Sequence, residues 1–134
     1  MESNTGLARS PRGAPLDAAH QAVLDQIERL ATTPDAQFAA GYGDLVDLVE
    51  TAFKQQEDKM EQIAFPGLHE HREQHARVLS GLHHVDTHVM SGDVKVGRAI
   101  VKLLPHWYND HLSTMDNAVT VALKEAISAP EQAL

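Results

Sequence analysis

The chain has 134 residues, of which 43% are apolar and 4% aromatic, and 11 Lys plus Arg against 19 Asp plus Glu leave a net charge of −8. That is enough chain for one domain with an aliphatic core. The acidic balance, with no basic run to neutralise phosphates, argues against a nucleic-acid grip and against electrostatic docking on anionic lipid. Cysteine is absent, which removes disulfides, thiolate zinc sites, iron–sulfur clusters and cysteine nucleophiles.

Residues 1–15 carry Gly6, Pro11, Gly13 and Pro15 and no apolar stretch. They read as a disordered N-terminal tail rather than a secretory signal. No apolar run approaches the ~20 residues that span a bilayer, so no membrane is expected and the expected compartment is the cytoplasm. Residues 16–31 repeat Leu16, Ala19, Val23, Ile27 and Leu30 at helical spacing, with Asp17 in the first turn, where negative charge suits the helix dipole. Thr33 followed by Pro34 predicts an N-cap and first helical residue for a second helix over 34–63. Its expected buried stripe is Phe38, Leu45, Leu48, Val49, Ala52, Phe53, Met60 and Ile63. Gly41 and Gly43 within it predict close packing or a local kink.

Phe65-Pro66-Gly67 should end that helix. A third follows over 68–90, with Leu68, His71, His75, Val78, Leu79 and Leu82 facing inward. Ser91-Gly92-Asp93 predicts a turn. A fourth helix over 94–127 meets Pro105, which should kink it or split off its first turns; 129–134 should fray. Four helices with short connections predict an all-α, antiparallel up-down four-helix bundle over 16–128.

Nine residues are histidine, and all but His20 lie from His69 to His111. Histidine is the commonest metal-binding side chain. His71 and His75, at i and i+4, share a helix face, so their rings can meet on one ion. The pair alone is weak evidence, since two histidines also fall at that spacing on solvated faces. His111 and Asp116 are five apart and need a sideways reach or a π-type widening to converge. Trp107, one turn before His111, should pack on the same inner surface and shield a ligand from water. His20 shares the apolar stripe of Val23 and Ile27. His69, His83, His84, His88 and His106 read as surface or helix-end residues, with His84 and His88 as a candidate peripheral pair.

Taken together, Leu16-Asp17-x-x-His20, Phe53 through Met60, Phe65-Pro66-x-Leu68-x-x-His71-x-x-x-His75 and Trp107-x-x-x-His111-x-x-x-x-Asp116 resemble the hemerythrin family of four-helix-bundle di-iron proteins. The resemblance covers nearly all of the chain after the tail. It implies that His20 corresponds to a ligand on the first helix, that His71, His75 and His111 correspond to the histidines of one iron, and that Asp116 corresponds to a bridging carboxylate. The family's second helix carries H-F-x-x-E; here the stretch is Ala52-Phe53-Lys54-Gln55-Gln56. Alanine stands where the ligand histidine is expected and glutamine where the bridging glutamate is. Glu57 is adjacent to Gln56 but about 100° further around the helix. The family's early tryptophan segment has no counterpart in the tail.

Counting ligands, one pocket keeps His71, His75, His111 and Asp116, and the other keeps His20 and a share of Asp116. The expectation is therefore one divalent ion, Zn or Fe, per chain, with His20 either a fifth ligand or a group facing the vacated half. A second ion with one carboxylate fewer would be poorly compensated in a bundle core. Four functions stay open: a one-ion metal protein acting as sensor, store or stabilised scaffold; a di-iron binder of dioxygen or nitric oxide with substitute ligands; a metal-dependent peroxide-reducing enzyme; and a metal-free bundle working through partners. No additional acid–base group for catalysis is evident beyond Glu57 and Glu61.

Overall fold

The computed structural model describes residues 16–111, together with 121, 122 and 125. The predicted tail (1–15), Asp116 and the segment 129–134 lie outside these. Four helices follow one another: α1 (Leu16–Ala31), α2 (Asp35–Gln62), α3 (Leu68–Met90) and α4 (Val94–His111). The turns between them are short enough that sequential neighbours run antiparallel. α1 packs on α2, α2 on α3 and α3 on α4, and α4 closes back on α1. No described helix is long and apolar enough to cross a membrane.

The turns show how sequence sets the boundaries. α2 ends in a Schellman turn: Ala64 N–H donates to Glu61 O and Phe65 N–H to Met60 O. Ala64 takes φ 52°, the left-handed region that favours glycine. Phe65 folds back on Met60, the apolar contact that usually accompanies this motif. α3 ends the same way, with Gly92 N–H to Val89 O and Asp93 N–H to His88 O, but there the left-handed position belongs to Gly92 at φ 106°. Asp93 then caps α4 by accepting from Val96 N–H.

Two expectations are corrected. Thr33 does not cap α2. Pro34 occupies the N-cap, extended at ψ 154°, with no side-chain cap, while Thr33 Oγ1 donates back to Arg29 O at 2.8 Å. The threonine thus satisfies a carbonyl at the end of α1. Arg98 of α4 completes the corner. Its guanidinium donates to Leu30 O, Thr33 O and Asp35 Oδ1 and lies 4.6 Å from the Phe38 ring centroid. Pro105 does not split α4, which runs unbroken across it; proline's fixed φ is helical, so what it removes is one hydrogen bond.

The core is aliphatic in the half nearest the α1–α2 and α3–α4 turns. Leu24, Leu30, Phe38, Leu45, Val49 and Val89 are fully or almost fully buried there. Tyr42, buried among them, donates its hydroxyl to Leu82 O at 2.9 Å. Burial, and then the negative charge of Asp86, push its phenol well above the ordinary range. Tyr42, Val46, Val85 and Val89 join the core beyond the predicted stripes, whereas Leu48, Ile63, Leu68, Val78 and Leu79 are half-buried. Gly97 is a close-approach position: a Cβ there would meet Phe38 Cε2 and Val89 Cγ2 at 2.6 Å each. Gly41 likewise abuts Leu30, while Gly43 faces open space.

Candidate metal centre

Toward the α2–α3 turn the core changes character, and among Phe53, Met60 and Tyr108 it buries the polar residues His20, Gln56, His71, His75 and His111. α3 presents His71 and His75 one turn apart on its inner face, and α4 brings His111 opposite them. The three rings stand mutually edge-to-face, with centroids 5.0 Å (His71–His75), 4.9 Å (His71–His111) and 5.1 Å (His75–His111) apart. Each offers a ring nitrogen such that all three lie within 4.8 Å of one another. His75 Nε2 and His111 Nε2 are 3.2 Å apart.

That spacing can be tested against a metal ion. Two imidazole nitrogens each about 2.0–2.1 Å from one ion, at angles between square and tetrahedral, sit roughly 2.9–3.4 Å apart. The His75–His111 edge falls within this range. Three imidazoles on residues only 1–3% exposed, with no thiolate among them, suit zinc or iron. The residues present therefore fit a metal ion.

Aromatic rings hold the imidazoles in place. Phe53 stacks on His75 at 3.8 Å and 6°. Trp107 stacks on His111 at 4.5 Å and 15°, so the predicted neighbour of His111 covers its face. Phe53 and Trp107 meet edge-on, and Phe65 approaches His71 edge-on from the α2–α3 turn. A stacked ring cannot swing away without losing buried apolar contact, which fixes the donor directions before an ion arrives.

His20 is buried but lies outside this three-histidine group, its ring 5.4 Å from that of Tyr108. Ala52 and Gln56 are both buried at 1% exposure on α2, so the two substituted positions do face the core. Asp116, the fourth expected ligand, lies outside the described residues. His69, His83, His84, His88 and His106 are exposed. His83 contacts Glu50 at 2.9 Å and His69 contacts Glu73 at 3.5 Å.

Glu57, named from sequence as an acid group near the site but about 100° round the helix from Gln56, has a partner that the sequence did not indicate. Glu57 Oε2 lies within hydrogen-bond distance of His75 Nδ1, at 2.7 Å. Glu57 Oε1 lies 3.4 Å from Arg72, which also reaches Glu61 at 3.6 Å. The available signal was the Phe53–Glu57 spacing. Residues at i and i+4 share a helix face, and Phe53 is the residue stacked on His75.

The model of the hemerythrin HHE cation binding domain matches residues 14–123. The chain belongs to the hemerythrin family. A bacteriohemerythrin from Ralstonia nicotianae is 31% identical over 112 residues, spanning 84% of this chain and 82% of that protein. Crystal structures of hemerythrin, wild type and a point mutant, superpose with a TM-score of 0.74 at 19% and 20% identity, covering 81% of this chain and 86% of theirs. The all-α hemerythrin bundle expected from sequence is therefore the fold. The chain is a hemerythrin-like metal-binding domain, and its three buried histidines form the group suited to an ion.

Proposed function

We propose that this hemerythrin-like domain holds a single divalent ion, zinc or iron, with His71, His75, His111 and Asp116, and works as a metal store or sensor. The observation that carries the reading is the convergence of the three buried imidazoles, with His75 and His111 nitrogens 3.2 Å apart. The count of one is supported by the opposite side of the core. There Ala52 and Gln56 occupy the buried α2 positions, and His20 lies outside the triad. An ion held by the three histidines and Asp116 would supply a Lewis-acidic centre. The chain's own part is to hold the donors rigid, through the Phe53 and Trp107 stacks, and to keep bulk water away.

X-ray absorption on iron-loaded and zinc-loaded protein tests this reading. The expected signature is imidazole scattering about a single ion with no metal–metal vector. A metal–metal vector would overturn it.

A second reading is favoured by the 31% identity to a bacteriohemerythrin: a di-iron protein binding a small diatomic ligand, with Gln56 or solvent replacing the missing ligands. A visible absorption band appearing on exposure of the ferrous protein to dioxygen would choose it over the one-ion reading.

A further inference from the structure

The one-ion reading leaves a charge problem. A divalent ion facing three neutral imidazoles and one carboxylate retains a net positive charge inside a bundle. The described structure holds a second carboxylate at the centre that does not enter the ligand group. Glu57 projects from α2 one turn beyond Phe53. One of its oxygens contacts His75 Nδ1 at 2.7 Å and the other faces Arg72 at 3.4 Å. Its side chain is 21% exposed, while His75 is 1% exposed.

Resting on the reading above, we infer that Glu57 is a positioning residue. It fixes the His75 proton on Nδ1, turns the Nε2 lone pair into the three-histidine cluster, and lends the centre a negative charge through that hydrogen bond. The two imidazole nitrogens are distinct, and whichever carries the proton cannot bind an ion. With Nδ1–H pointed at a carboxylate, Nε2 is the free donor, and Nε2 is the atom 3.2 Å from His111. A carboxylate behind a ligand imidazole raises its basicity and holds its ring orientation. Arg72 steadies the carboxylate from the solvent side, bridging Glu57 and Glu61. The α2 helix, which offers Ala52 and Gln56 inside the core, thus contributes to the centre from one residue further round.

The plain structural alternative is that Glu57 merely ties α2 to α3 as an ion pair with Arg72. The experiment uses the full chain with zinc alone as the probe, in wild type, Glu57→Ala, Glu57→Gln and Glu61→Ala. Positioning predicts that Glu57→Ala weakens zinc binding roughly 10–100-fold. Glu57→Gln, which keeps an acceptor but no charge, falls between it and wild type. Glu61→Ala, which loses an Arg72 contact but none to His75, binds as wild type does. Nitrogen-15 NMR of the metal-free protein should show His75 protonated at Nδ1 in wild type, with the Nε2–H form gaining population in Glu57→Ala. Unchanged zinc affinity in Glu57→Ala, or an Nε2–H His75 in wild type, would overturn the inference. If wild type binds no zinc or iron, the one-ion reading fails, and the NMR comparison still decides whether Glu57 sets the His75 tautomer.

Discussion

The two halves of this core are built from the same four helices and do opposite things. Near the α1–α2 and α3–α4 turns, Leu45, Val49, Leu82 and Val89 pack against Phe38 and Tyr42, and the buried Tyr42 hydroxyl is tied to a backbone carbonyl. Near the α2–α3 turn, imidazoles and a glutamine are buried among the aromatic rings of Phe53 and Tyr108. Apolar burial stabilises the first half outright, at about 25 cal/mol per Å². Burying polar rings in the second half gains little unless something pairs with them. A protein that accepts that arrangement has given part of its core to a ligand, and the first half must carry the fold.

The largest effect separates the halves directly. Leu45 is 0% exposed, and Leu45→Ala should cost about 2–5 kcal/mol of metal-free stability by leaving a cavity. His71→Ala should cost the metal-free protein less, about 1–2 kcal/mol, because burying an imidazole gains less than burying a leucine. Denaturant unfolding of both variants measures the contrast, and equal losses would break it.

Next comes an attempt to rebuild the second metal position. Ala52→His with Gln56→Glu should raise bound iron toward two per chain while lowering metal-free stability by about 1–3 kcal/mol, since an imidazole must enter a packed site. Iron content together with the unfolding midpoint checks both parts. The smallest effect concerns the turn beneath the histidine end. Ala64→Gly should stabilise by about 1 kcal/mol, because φ 52° strains alanine and not glycine. Gly92, in the equivalent position after α3, is the natural control: Gly92→Ala should move stability the other way.

Much of this was legible in the sequence because the punctuation is strong. Pro, Gly and Ser/Thr clusters separate the described helices, and the end of α1 and both ends of α3 fall where predicted. The His71–His75 pair announces itself by i,i+4 spacing. Thr33 misled because a threonine before Pro34 can serve either helix, and only the folded corner decides, where Thr33 turns back to Arg29 O and Arg98 holds the carbonyls of Leu30 and Thr33. Pro105 does not split α4 because its cost is local, whereas α4 packs on both α3 and α1. Glu57 was measured against Gln56, which put it off the inner face. Measured against Phe53 it shares one, and its partner His75 comes from another helix, a contact that no spacing within α2 reveals.

One ion at the three-histidine end is what distinguishes this chain from a di-iron bundle. Elemental mass spectrometry decides it, on protein purified without chelators and again after anaerobic iron loading, with His71→Ala and His111→Ala alongside. Close to one zinc or iron per wild-type chain is expected, with loss of that metal in both variants. Two irons per wild-type chain, or one ion that survives both substitutions, would contradict it.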